Sequence, residues 1–321
     1  VSLPPPGRTA GPIGRPLLPA APGSPRAGAP GERVDGPPAP RHSPGAVGLV
    51  LARPARLLGV EPFFMEFIAG IEERLAEHDL SVLLHVVPHH EAEIAAYRRW
   101  AARGLVDAVA LVNPTVGDRR PEVLTELGLP AVVVGNPGDG TDLPAVRTDE
   151  TGPVRDALAR LLELGHRRIA RVGGPADLLH TVARTRALRE GCREAGIEPV
   201  VVEGDYSDEA GARLTARLLS APEPPTAIMY DNDVMAVAGL EAAGAAGVAV
   251  PDRLSLLAWD DSPMCRLASP PLTTMSVDVH RFGSLVADTL LELVAGRPAT
   301  PRESPAARWV RRGSTGPAPA D

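Results

Sequence analysis

No lysine occurs anywhere in the chain, so all 33 basic residues are arginine. With the abundant Ala, Gly and Pro, this reads as the codon bias of a GC-rich genome. It also excludes a phosphate loop of the Gly-Lys-Ser/Thr type, so Gly173-Gly174-Pro175 resembles one only superficially. Aromatic residues make up only 3% of the chain, which leaves the core to Ala, Val, Leu and Ile and favours helices packed on a parallel sheet over an aromatic-rich sandwich. Two cysteines, Cys192 and Cys265, exclude a disulfide framework and fit reduced thiols. No apolar run reaches the ~20 residues of a membrane span. Val1 to Ala21 carries scattered Pro and Gly where a signal peptide has a continuous apolar stretch, so a cytoplasmic protein with no membrane partner is expected. His85, His89 and His90, beside Glu91 and Glu93, lack a matching third-site spacing for a metal, and no nucleophile elbow is present. The expectation is a chain without cofactor, metal or catalysis.

What the chain does have divides sharply near residue 45. Residues 1 to 45 hold 13 of the 36 prolines and 8 of the 32 glycines, with five Arg, two acids and no aromatic, and are expected to be a disordered tail. The remainder then carries 28 Arg against 38 acids, a formal charge of −10, which does not suit a nucleic-acid-binding surface. With 321 residues and a hydrophobic share of 44%, two lobes are the default.

After residue 45 strands and helices alternate. Ala46 to Leu51 reads as a strand, Pro62 to His78 as an amphipathic helix with Phe64, Phe67, Ile68, Ile71 and Leu75 on one side, and Ser81 to Val86 as the next strand. The unit repeats through a helix at Glu91 to Ala102, strands at Ala108 to Val112 and Ala131 to Val134, and the turn Gly135-Asn136-Pro137-Gly138. A second series begins after Asp149-Glu150-Thr151-Gly152, with helices over Pro153 to Leu164, Val182 to Ala195, Asp208 to Leu219 and Val234 to Ala243. Two of its strands end in polar groups: Ala227-Ile228-Met229-Tyr230 runs into Asp231-Asn232-Asp233, and Leu256-Leu257-Ala258-Trp259 into Asp260-Asp261. Open α/β sheets bind ligands at the C-terminal ends of their strands, so these tips predict a cleft. The fold class is α/β, with two tandem doubly wound parallel-sheet lobes.

Several stretches carry a resemblance in order along the chain: Pro62-Phe63-Phe64, Glu163-Leu164-Gly165-His166-Arg167-Arg168-Ile169-Ala170, Gly173-Gly174-Pro175, Ala183-Arg184, Gly204-Asp205-Tyr206, Pro225-Thr226-Ala227-Ile228 with Asn232-Asp233-Val234-Met235-Ala236, Asp260-Asp261, Pro270-Pro271-Leu272-Thr273-Thr274 and Arg312-Gly313-Ser314-Thr315. Over residues 46 to 315 the chain resembles the LacI/GalR family of bacterial transcription regulators. The resemblance implies an effector-binding core of the type I periplasmic-binding-protein fold, with three crossovers near Thr148 to Pro153, Met275 to Val279 and Gly296 to Thr300. The first lobe would be 46–149 plus 279–297, the second 150–278 plus 298–315, and 316–321 a tail. It further implies a homodimer that binds a small effector, by preference a sugar, between the lobes. Operator DNA would be read only through an N-terminal helix-turn-helix headpiece, and residues 1 to 45 show no such pattern. The expectation is a regulator core separated from its headpiece, or else a family member that works without one. A solute-binding protein of a transport system shares the fold but would need an export signal.

A polyhydroxylated ligand calls for a carboxylate, an amide or a guanidinium in bidentate contact, and an aromatic face for its ring. By resemblance Asp260 is the acceptor carboxylate, Asn232 the ligand-facing amide and Arg184 the effector arginine. Asn232 also reads as a cap for the following helix, a role that Asp233 could take instead. Phe64 is expected to stack on the ligand. Tyr206, and His180 one turn before Arg184, are further candidates. Asn136 stands where the family often has an acid or Arg, and Glu61 where Asn or Asp commonly precedes Pro-Phe-Phe, so these rim positions bear on ligand identity.

Overall fold

The computed structural model describes residues 45–54 and 61–320, so the expectation for the N-terminal tail lies outside the described residues. The first lobe runs β1 (Ala46–Ala52), α1 (Pro62–Ala76), β2 (Ser81–Val87), α2 (His90–Arg103), β3 (Ala108–Leu111), α3 (Arg120–Glu126), β4 (Ala131–Val134) and β5 (Ala145–Arg147). The second runs α4 (Gly152–Glu163), β6 (Ile169–Gly173), α5 (Leu179–Glu194), β7 (Val200–Glu203), α6 (Asp208–Leu219), β8 (Ala227–Tyr230), α7 (Asp233–Ala245), β9 (Ser255–Trp259), α8 (Pro263–Leu267) and β10 (Thr273–Ser276). The chain then returns to the first lobe with α9 (Val279–Val294) and β11 (Arg302–Glu303), and finishes in the second with β12 (Arg308–Val310).

Each lobe is built on one six-stranded sheet, ordered β11-β5-β4-β3-β1-β2 in the first and β12-β10-β9-β8-β6-β7 in the second. All pairings are parallel except β12 against β10. Successive side chains of a strand point to opposite faces, and both faces are covered. In β1, Leu49 and Leu51 join Phe67, Ile71, Phe282 and Val286 from α1 and α9, while Val50 joins Tyr97, Trp100 and Leu124 from α2 and α3. In β8, Ile228 and Tyr230 pack with Leu214 and Met235 from α6 and α7, while Ala227 and Met229 pack with Leu158 and Leu188 from α4 and α5. Burying each of the larger side chains fully is worth about 1.5–3 kcal/mol.

Part of the family-like pattern turns out to be glue for the second lobe. His166 is buried, with Nδ1 bonded to Thr226 Oγ1 at 2.9 Å and Nε2 to Ser255 Oγ at 3.0 Å and the Gly316 carbonyl at 3.2 Å. It thereby ties the starts of β8 and β9 to the C-terminal strap. Ser314 Oγ accepts from the Thr273 amide at 2.8 Å and donates to the Leu256 carbonyl at 2.7 Å, and Arg312 Nη2 reaches Asp261 at 2.8 Å.

Three details differ from the sequence reading. The last passage into the second lobe comes later than residue 298, because Arg302 and Glu303 pair with β5 in the first sheet; two residues are too short a run to show a period. Residues 316–318 are not a loose tail, since the Gly316 amide donates to Ser255 Oγ at 3.1 Å and the Ala318 amide to the Leu164 carbonyl at 2.7 Å. Helix α5 starts at Leu179 rather than Val182, which brings His180 into its first turn. Its N-cap, Leu178, offers no side-chain cap for the sequence to reveal.

Helices α1 and α9 approach so closely that a Cβ on Gly283 would run into the Phe67 carbonyl, and one on Gly70 into the His280 carbonyl. Gly283→Ala should therefore destabilise the chain by about 1–3 kcal/mol through overpacking, outweighing the ~1 kcal/mol that alanine gains in helix propensity. Gly244→Ala in α7, where an added Cβ meets nothing within 4 Å, should be neutral or stabilising by up to ~1 kcal/mol. Urea unfolding midpoints of the two variants check the contrast, and shifts of the same sign would contradict it.

Candidate functional site

The C-terminal ends of both sheets face one cavity of about 130 Å³ between the lobes. Its walls follow from the parallel topology: β1 delivers Arg53, β3 Asn113 and β4 Asn136 from the first lobe, while β8 delivers Asp231 and Asn232, and β9 delivers Asp260. Helix α5 adds His180 and Arg184, and the loop after β7 adds Tyr206. All seven residues singled out from the sequence line this cavity. They differ in how much of each side chain is left for a ligand.

Asp260 is the least committed. It follows β9 with φ +67, a left-handed backbone that costs a non-glycine residue free energy and turns up where a side chain must be aimed. Its carboxylate accepts no hydrogen bond from the described residues. Burial pushes its pKa up to about 8, with the neighbouring Asp233 carboxylate adding to the rise and Arg184 opposing it. Asp260 therefore holds a proton more readily than an ordinary aspartate.

Arg184 is held from two sides. Its Nε donates to Glu150 Oε2 at 2.7 Å, and its guanidinium carbon lies 3.9 Å from the centroid of the Trp259 ring. Burial works to lower its pKa, but Glu150 and Asp231 outweigh that and keep it above the ordinary arginine value. Its two terminal nitrogens donate to no described residue. The first lobe carries a counterpart: the Arg53 guanidinium lies 4.2 Å from the Phe64 ring centroid and contacts the Glu61 carboxylate. Burial lowers Arg53 to about 10. Each lobe therefore presents one arginine backed by an aromatic ring and paired with a glutamate.

Other candidates are largely occupied. Asn232 caps α7, accepting from the Met235 amide at 2.9 Å, and its Nδ2 donates to the Tyr206 carbonyl at 3.0 Å, so both ends of the amide are in use. Asp233 does not take the cap; its Oδ2 accepts from the Ser262 amide at 3.3 Å. Asn136 clamps the first crossover, donating to the Thr148 carbonyl at 2.6 Å and accepting from the Thr148 amide at 3.3 Å. Phe64 has one face covered by Arg53. His180 Nε2 and the Tyr206 hydroxyl share a hydrogen bond of 2.7 Å, and burial, aided by Arg184, lowers His180 to about 4, so it stays neutral. Tyr206 reaches this position because Gly174, against whose Cα its hydroxyl lies, has no Cβ.

Beneath the wall lies a buried pair, Arg171 and Asp231, joined at 2.9 Å through Nε and again through Nη2. Arg171 Nη1 also donates to Thr185 of α5 at 2.6 Å, and the Gly174 amide to Asp231 at 3.0 Å. Burial raises Asp231, but Arg171 and Arg184 outweigh it and hold the carboxyl below its usual value. Arg53, Glu150 and Trp259 are among the lining groups that sequence reasoning missed as ligand candidates. Arg53 and Trp259 sit at strand C-terminal ends, and that placement was the available signal.

Among the described residues no group of three or more His, Cys, Asp or Glu is placed to hold a metal. His89 caps α2 by accepting from the Ala92 amide at 3.3 Å, and His90 Nδ1 bonds Glu93 at 3.1 Å.

A family model described as a periplasmic binding protein-like domain matches residues 158–315. The chain is 36% identical over 282 residues to the HTH-type transcriptional regulator AglR of Rhizobium meliloti, covering 85% of this chain and 79% of AglR. A LacI family regulator from Bifidobacterium animalis superposes with a TM-score of 0.78 at 35% identity, covering 86% of this chain and 99% of that structure. The regulator CelR, solved in complex with cellobiose, superposes with a TM-score of 0.77 at 29% identity over 84% of each chain. With a regulator-like sequence across both lobes and a polar cleft between them, this chain belongs to the LacI family of transcriptional regulators and is a ligand-responsive regulator rather than the binding protein of a transporter.

Proposed function

We propose that the cleft binds a sugar or a similarly polyhydroxylated metabolite, with Asp260 and Arg184 as its principal contacts, and that this occupancy controls operator DNA binding by a homodimer. The observation that carries the reading is Asp260: a half-buried carboxyl on left-handed backbone, without a hydrogen-bond partner among the described residues, beside a guanidinium whose terminal nitrogens donate to none of them. A vicinal diol meets both needs, donating to the acid and accepting from the fork. The cavity, at about 130 Å³, is comparable with voids that enclose one six-membered ring. It adjoins a groove of about 1000 Å³ that shares Glu61, Phe63 and Asp260 with it, room enough for a further sugar unit. CelR with its cellobiose supports this class of ligand by analogy. Leu83 and Leu84, each 36% exposed on the edge strand β2, support pairing with a second copy, and operator contact is assigned to a headpiece of the helix-turn-helix type. No helix among the described residues is long and apolar enough to cross a membrane.

Thermal shift across a panel of mono- and disaccharides tests the ligand class. A true effector at 100 times its Kd should add about 2.7 kcal/mol to stability. Asp260→Ala and Arg184→Ala should each weaken the same hit at least tenfold, and unchanged affinity in both would remove the assignment.

Asp260 also makes a prediction for the ligand-free protein. Its folded pKa of about 8 lies above the ~3.9 of an unfolded aspartate. The folded state therefore keeps a proton that the unfolded state releases, and Asp260 costs stability increasingly as pH rises from ~4 to 8, levelling off above. Asp260→Asn should melt higher than the parent at pH 8.5, with a much smaller gain at pH 5, while losing sugar binding. A gain independent of pH would show that Asp260 is not desolvated in the empty cleft.

A further inference from the structure

The lobes are joined by backbone hydrogen bonds as well as by the crossovers. The loop between β3 and α3 runs antiparallel to the segment leading into α5: the Val116 amide donates to the Asp177 carbonyl at 2.8 Å and the Leu179 amide to the Pro114 carbonyl at 2.9 Å. Thr115 and Leu178 face each other in a single antiparallel bridge, and both are buried. The donors and acceptors belong to different lobes, so this bridge exists only while the lobes are together. It also serves the helix: Leu179 is the first residue of α5, whose N-terminus has no side-chain cap, and Pro114 satisfies its otherwise orphaned amide.

The loop owes its shape to one buried guanidinium. Arg120 donates through Nη1 to both Glu93 oxygens at 2.9 Å and to the Val112 carbonyl at 3.2 Å, and through Nη2 to the Asn113 carbonyl at 2.7 Å. Its Nε and Nη2 also grip Asp118, with a shortest contact of 2.6 Å. Asp118 in turn accepts from the Thr115 amide at 3.3 Å. Asn113 sits in the left-handed region at φ +51, a conformation that needs such a frame. Carbonyls 112 and 113 and amide 115 are thus fixed inward, and the Pro114 carbonyl and Val116 amide are left facing the other lobe. His180 in the first turn of α5 and Arg184 one turn further on both line the cleft.

We propose that the loop 113–119 is the latch of the cleft, and that Arg120 is a positioning residue for effector binding, acting on His180 and Arg184 through the bridge to Leu179. The inference rests on the reading of the cleft as an effector site, but its test needs no effector. Opposed residues in this kind of antiparallel pair have Cα atoms about 4.5 Å apart, inside the ~4.4–6.8 Å that a disulfide spans. The full chain carrying Thr115→Cys and Leu178→Cys, oxidised mildly with diamide, should therefore close an interlobe disulfide, read by peptide mass mapping. Both native cysteines are buried and should not compete. Adding Arg120→Lys should slow closure at least tenfold and speed amide exchange at Val116 and Leu179, while exchange in β8 and β9 stays as in the parent. Asp118→Asn, a milder change, should act in the same direction if Arg120→Lys fails to fold. Absence of the disulfide overturns the latch. Unchanged closure, or faster exchange throughout both lobes, overturns the positioning role. Either result leaves sugar binding by the parent chain intact, so failure here is distinct from failure of the effector reading.

Discussion

Charge buried at the ends of parallel strands must be paired, and that constraint organises both lobes. Taking an ion out of water costs several kcal/mol, and removing one partner from a buried pair typically costs about 3–5 kcal/mol. The second lobe meets the demand with Arg171 on Asp231, which locks β6, β8 and α5 together directly beneath the cleft. The first lobe meets it with Arg120 on Glu93 and Asp118, which fixes the loop after β3. At the cleft surface Arg184 takes Glu150 and Arg53 takes Glu61. Once these pairs are formed, Asp260 is the lining carboxylate with neither a cation nor a hydrogen-bond donor among the described residues.

The pairing also gives the lobes a matching design. Arginine over aromatic over glutamate recurs as Arg53, Phe64 and Glu61 on one side and as Arg184, Trp259 and Glu150 on the other. A guanidinium stacked on a ring keeps its planar fork in a fixed orientation, so little rotamer entropy remains to be lost when a ligand accepts from it. In this protein the aromatic rings serve the cleft by holding arginines, and Phe64 offers a ligand less open face than its position in the sequence suggests.

How much of this could be read from the sequence depends on whether the signal was local. Alternating strands and helices and the two acid-tipped strands are local patterns, and they placed Asp260 and Asn232 at the cavity, while Phe64 was placed there by the family resemblance. Partnership is not local. That the amide of Asn232 is spent on Met235 and Tyr206, or that Asn136 is spent on Thr148, depends on contacts up to 26 residues away. Glu150 looked like part of a linker because it lies in a crossover, and only the folded path brings it to Arg184. The start of α5 was illegible for the same reason, since its capping group is a carbonyl from the other lobe. β11 escaped notice because two residues have no period, and its pairing with β5 is set by the long return through α9.

These same long-range contacts decide how the cleft can act as a switch. Two backbone hydrogen bonds across the lobes, each worth ~0.5–1.5 kcal/mol net, give a latch of ~1–3 kcal/mol. Moving a two-state equilibrium from 1:99 to 99:1 takes about 5.5 kcal/mol of differential binding. The latch is therefore too weak to hold the lobes together irreversibly and strong enough to bias them. The rest must come from a ligand that contacts both lobes at once, because groups on one lobe alone bind equally well in either arrangement and shift nothing. Hydrogen bonds to charged groups, at about 1.5–3 kcal/mol each, supply that difference with two or three contacts. Asp260 and Arg184 line the cleft from one lobe and Arg53 from the other, so on the proposed reading a single polyhydroxylated ligand would touch both. On the proposed reading, a hydrogen bond donated by the ligand to Asp260 forms in the bound state only and adds to that bias.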